Sequence, residues 1–123
     1  NKARGTYIAS SGLSISNKGY GVIGIYADTL AHVPVKKIRM NFYLDRWDED
    51  DQEWYQVEHY NYLYEYEEGG EDLTSVSESF SVIGLPANCY YRLRGAHTVW
   101  PFTGGFETQG PKTDGIWISD GPV

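Results

Sequence analysis

The sequence predicts an all-β fold, an antiparallel sandwich of about seven to eight strands. Three observations predict it. Strand-like runs recur roughly every ten to fifteen residues, each closed by Gly, Pro, Asn or Asp. Segments with a helical apolar period are nearly absent. The 123 residues, 15% of them aromatic, suffice for one core, and no linker-like stretch divides them. Residues 1–123 are therefore expected to form a single β-sandwich domain.

The elements follow in order. TYIASSGLSIS, residues 6–16, reads as a first strand, with Gly12 suggesting a bulge or bend. NKGYG is a turn, and GVIGIYAD is a second strand. HVPV breaks the chain, because Pro34 has no amide hydrogen to give a ladder. KKIRMNFYLDRW is the clearest strand: Ile38, Met40, Phe42 and Leu44 share one face, and Lys37, Arg39, Asn41, Tyr43 and Asp45 the other. DEDDQ is an acidic connection to a long arm, EWYQVEHYNYLYEYE, expected to run antiparallel to it and to end at EGGED. SVSESFSVIG should turn Phe80 and Val82 inward. CYYRLRGAHTVW should place Tyr91 and Leu93 on one face and Tyr90, Arg92 and Arg94 on the other. PFTGGFETQGPKTDG reads as turns, and IWIS closes the domain.

Charge narrows the function. Between Asp45 and Asp72, twelve acids stand against one base, Arg46, so this segment carries −11 of a net −7 and the remainder is +4. Such a field repels nucleic acid and favours basic partners. No apolar run approaches the ~18 residues of a membrane helix, so no membrane insertion is expected. Cys89 is the only cysteine; it forms no internal disulfide and should pack as a small apolar group. The opening NKARGTYIAS reads as a mature or trimmed start.

Two stretches carry resemblances. IGLPANCYYRLRGAHT resembles the corner between the fifth and sixth strands of fibronectin type III and immunoglobulin-like sandwiches, with Leu85 and Tyr91 in the corner positions. The likeness implies a buried ring whose hydroxyl bonds back to the corner backbone; Gly95 and His97 stand where apolar residues are expected. RGTYIASSGLSISNKGYGVIGI, KKIRMNFYLDR, EWYQVEHY, SFSVIG, YYRLRGAHTV and DGIWI resemble a family of small secreted proteins of Gram-positive, largely gut-dwelling bacteria, without assigned function. That resemblance implies export and a β-sandwich and transfers no catalytic residue. The acidic connection, the tyrosine run and Cys89 depart from it.

The tyrosine run raises the functional question. Tyr60, Tyr62, Tyr64 and Tyr66 occupy every second position of the long arm. They either face the core or present stiff phenols for binding. Val57 and Leu63 have the opposite parity, which a bulge bringing Trp54, Val57 and Tyr60 inward together would reconcile. The expectation is a mixed arm, covered in part, with Tyr62 to Tyr66 presented.

Asp48 to Asp51 reads as a solvated hairpin tip; calcium is the sharper alternative, but the spacing is not that of an EF-hand. His32, His59 and His97 have no metal-ligand spacing, and His97 should fill a core or inter-strand position. Glu58, Glu78 and Glu107 show no glycosidase arrangement. Trp100 and Trp117 are either structural or part of a second platform.

The expected function is a non-catalytic secreted or surface-displayed binding module without cofactor or metal. Its partner would be a protein, an immunoglobulin being one concrete candidate, engaged by Trp47, Trp54, Tyr55, Tyr60, Tyr62, Tyr64 and Tyr66 with Glu65, Glu67 and Glu68 as steering charges. The alternatives are a carbohydrate-binding module, which needs rings held coplanar along a groove, and a structural spacer of a larger surface protein.

Overall fold

The computed structural model describes residues 5–123; the opening residues 1–4, including the Arg4 of the family likeness, lie outside the described residues. Eight strands and no helix appear among them: β1 (Ile8–Gly19), β2 (Val22–Ala31), β3 (Lys37–Asp48), β4 (Glu53–Glu65), β5 (Ser75–Val82), β6 (Cys89–Trp100), β7 (Glu107–Gln109) and β8 (Ile116–Ile118). They form two antiparallel sheets. One has the order β1-β2-β5; the other has β4-β3-β6-β7, with β8 also paired to β6. β6 carries both short strands because they use different stretches of it: β7 pairs residues His97–Val99 and β8 pairs Cys89–Tyr91.

The core lies between the sheets. Ile38, Met40, Phe42 and Leu44 are fully buried, as their alternation requires, and the last three meet Ile23, Ile25 and Ala27 of the other sheet and Tyr91, Leu93 and Ile118 of their own. A second cluster of Ile8, Ala31, Val35, Ile38 and Val99 closes one end. Phe80 and Val82 are half-buried against the main core. The Tyr91 hydroxyl donates to the Pro86 carbonyl, 2.5 Å away, and Leu85 packs against the core, so the corner bond expected from the sequence forms.

Several expectations are corrected. Gly12 makes neither bulge nor bend: it stays in register opposite Asp28, where a Cβ would lie 2.5 Å from the Asp28 Oδ1. The register shifts of β1 fall instead between Ile8 and Ser10 and between Asn17 and Gly19. The turn is tighter than NKGYG suggests, with Tyr20 and Gly21 both at positive φ (57° and 76°) between β1 and β2. The turn-rich segment 101–115 contains β7, too short for a periodic signal. Glu107 at its start accepts from the backbone N–H of Thr6, Tyr7 and Ile8, which ties the entry of β1 to the second sheet.

Gly95 and His97 depart from the expected apolar pattern for a packing reason. Gly95 sits opposite Phe42, and a Cβ there would lie 3.0 Å from the Asn41 carbonyl and 3.1 Å from the Phe42 Cβ. The glycine makes room for the largest core ring of β3. His97 is fully buried; its Nδ1 donates to the Asp28 carbonyl (3.1 Å) beside the Thr29 hydroxyl. The imidazole thus satisfies polar groups of β2 across the core, as the inter-strand reading anticipates.

Candidate functional site

β4 is the edge strand of the five-stranded sheet, so its side chains either roof the core or line the sheet's outer surface. A bulge decides which. Leu44 pairs with Glu58 and Asp45 with Gln56, leaving Val57 as the extra residue. Val57 packs on the core and Tyr60 follows inward, but Trp54 falls on the outer face. The bulge anticipated from parity exists and carries two of the three residues inward.

Tyr60, Tyr62 and Tyr64 pair with Phe42, Met40 and Ile38, whose side chains point into the core. All three rings are half-buried and cover the open flank of the sandwich between β4 and β5. Tyr60 lies 5.5 Å from Phe42 and 5.0 Å from Phe80, centroid to centroid, and Tyr62 lies 6.0 and 6.2 Å from the same rings. The Tyr64 hydroxyl donates to the Glu78 carboxylate of β5. Burial raises the Tyr60 phenol to about 12, and burial and then the Glu78 bond push Tyr64 higher still. These phenols therefore stay protonated and act as donors. The distal end is not presented in the way the sequence suggests: Tyr62 and Tyr64 take the same inward face as Tyr60. Tyr66, beyond the strand, rests edge-on against Phe102 at 5.4 Å.

The other named residues scatter. Tyr55 stands 42% exposed at the hairpin tip and donates to Asp51 (2.6 Å), a bond that raises its own pKa to about 12. The tip's carboxylates also serve their own turn: Asp48 Oδ1 accepts from the Asp51 N–H, and Glu49 accepts from Trp47 Nε1 and Gln52 Nε2. Glu65 pairs across the sheet with Lys37, and Glu67 and Glu68 are exposed in the following turn. Glu78 and Glu107 are each held by a neighbour's donor, Tyr64 and the β1 backbone respectively. Among the described residues, no group of three or more His, Cys, Asp or Glu is gathered as a metal ion would need.

Trp47 and Trp54 belong to a different surface, the outer face of the five-stranded sheet. There β3 contributes Tyr43, Asp45 and Trp47, β4 contributes Gln56 and Trp54, and β6 contributes Arg92 and Arg94 at the paired positions. Trp47 meets Trp54 edge-on at 5.4 Å and 63°. The Arg92 guanidinium lies 4.5 Å over Trp54, and that of Arg94 lies 4.6 Å over Tyr43. Tyr43 in turn stacks on His59 at 4.6 Å, and the His59 Nε2 donates to Asn41. Asp45, 1% exposed, takes Nε of both arginines on one oxygen, at 3.0 and 2.8 Å.

Apolar groups flank this ladder at both ends. Tyr90 and Trp117 pair across β6 and β8, 5.1 Å apart and 74° inclined, and are 45% and 46% exposed. With Trp47 and Cys89 they line a hollow of about 210 Å³. At the other end Trp100, under Lys37 and Arg39, borders a hollow of about 260 Å³ with Phe106. Leu63 is exposed on the same face. Sequence reasoning placed Trp100 and Trp117 as uncertain and passed over Tyr43, Tyr90, Arg92 and Arg94. Their alternation was legible; what joins them, the lateral register of four strands, was not.

The fold and this surface define a class: an all-β, two-sheet protein whose larger sheet presents rings and guanidiniums to solvent. Residues 1–114 match the model of a family of unknown function, DUF6147, and the chain belongs to that family. No curated protein and no solved structure matches it.

Proposed function

We propose that this chain is a non-catalytic binding module, exported and displayed outside the cell, that engages a protein through the outer face of its five-stranded sheet. The observation that supports this reading is the run of rings and guanidiniums from Trp117 to Trp100, half-buried along its middle and bordered by the exposed Tyr90, Trp117, Leu63 and Phe106. Large apolar side chains left exposed together on one face mark interaction sites in soluble proteins. Rigid aromatics and arginines are also the residues that dominate protein interfaces.

Ring geometry favours a protein over a sugar. A carbohydrate platform needs ring faces parallel and open. Here the two outer pairs are inclined by 63° and 74°. Trp54, Tyr43 and Trp100 each carry a cation over the ring. The resulting surface is broad and mixed. The sheet orders and the Tyr91 corner bond support an immunoglobulin or fibronectin type III-like assignment, and the sequence likeness supports export from a Gram-positive bacterium. A host protein such as an immunoglobulin fits this setting.

The test is capture from host serum and mucus, run beside a glycan array. Leu63→Ser with Trp117→Ser removes two exposed apolar groups without touching the core. The double variant is expected to fold and to lose at least about tenfold of the captured protein, as interface anchors do. Unchanged capture, or specific binding on the glycan array alone, would overturn the reading.

A further inference from the structure

We infer that Arg92 and Arg94 form a fork that receives one carboxylate, an acidic side chain of the protein partner; this deepens the binding reading and rests on it. The two arginines occupy successive outward positions of β6, and both give Nε to the single oxygen Oδ2 of Asp45. One carboxylate against two guanidiniums leaves one positive charge uncompensated. With Nε committed to Asp45, only the terminal nitrogens are left for other partners. Arg94 gives one of them to Gln56 Oε1 (3.2 Å), and Arg92 gives none among the described residues. Both side chains stay partly open, at 30% and 42% exposure.

Preorganisation strengthens the case. Each guanidinium is fixed over an aromatic ring, so little side-chain freedom is lost when a ligand arrives. Paired terminal N–H groups match the two oxygens of a carboxylate. The choice of a monoanion follows from charge: the two arginines and Asp45 together carry +1, with Lys112 β-bridged beside Arg94, inside a chain of net −7 whose acidic turns repel a phosphate dianion more strongly than a carboxylate. Those same turns, Asp48 to Asp51 on one side and Glu67 and Glu68 on the other, call for basic groups around the carboxylate. The partner's surface is thus a carboxylate flanked by cations.

The test titrates N-acetyl-glutamate α-amide into the isotope-labelled protein at low ionic strength, reading the Arg Nε–H resonances. Glucuronate and chloride serve as separate arms. The amide is expected to shift Arg92 and Arg94 saturably, chloride not. Arg92→Lys and Arg94→Lys keep a charge for Asp45, so both should fold, and each should weaken the amide at least about tenfold because lysine lacks the planar fork. No saturable shift, undiminished binding in both lysine variants, or saturation by glucuronate alone would overturn the inference. If this titration fails while Leu63→Ser with Trp117→Ser still abolishes capture, the protein-binding reading stands without the fork.

Discussion

Three buried or half-buried residues show how single side chains set stability. His97 is held neutral: burial lowers its pKa from 6.5 to about 4, against a smaller raising effect of the Asp28 carbonyl. The unfolded chain binds this proton more readily, so its stabilising contribution is complete above pH 6.5 and is lost as pH falls toward 4. The loss amounts to about 3 kcal/mol. Denaturant unfolding at pH 7 and pH 4.5 should show the drop, and His97→Gln should flatten it.

Glu107 works in the same direction. Burial would raise its pKa, but the three backbone N–H donors outweigh burial and hold the carboxylate below its ordinary value. Its contribution is present above about pH 4.5 and lost as acid protonates it. Glu107→Gln is expected to cost about 1–2 kcal/mol at neutral pH. Gly95 is limited by space: Gly95→Val should destabilise by about 1–3 kcal/mol, because neither the Asn41 carbonyl nor Phe42 can withdraw. Thermal unfolding measures both, and an unchanged midpoint in the valine variant would contradict the packing described here.

At the scale of elements, β4 is two surfaces on one strand, switched by the bulge at Val57. Beyond it the tyrosines roof the core, so Tyr62→Ala should destabilise by about 2–3 kcal/mol, and Tyr64→Phe by about 1 kcal/mol through the lost bond to Glu78. Chemical denaturation would check both; a Tyr62→Ala variant as stable as the parent would mean the rings are not part of the core. The inward alternation of β3 and the buried role of His97 were legible from local sequence, and the corner at Tyr91 from the resemblance of its stretch to fibronectin type III and immunoglobulin-like corners. The destination of the tyrosines was only half legible. Alternation says that Tyr60, Tyr62 and Tyr64 share a face, but which face depends on the register between β4 and β3, and a single extra residue inverts it. β7 was invisible because three residues carry no period.

At the scale of the whole molecule, the fold separates charges that the sequence runs together. The acids of residues 45–72 lie mostly at the two ends of β4, while Lys37, Arg39, Arg92 and Arg94 share the outer face with Asp45, itself buried, and Glu65, with Glu49 bordering the hollow beside Trp47 and Lys112 β-bridged to Arg94. A partner matched to this mosaic should associate more slowly as salt rises, because the acidic turns are exposed to screening. The sequence suggested one acidic, tyrosine-bearing face. The strand pairing instead divides it into an inner roof and an outer ladder, and the outer ladder is the surface proposed to meet the partner. The most direct measurement compares capture of the serum or mucus partner by Leu63→Ser with Trp117→Ser, on the ladder, and by Tyr62→Ala, in the roof, at a temperature where both are folded. The account predicts loss of capture in the first and its retention in the second; loss confined to the roof variant would contradict it.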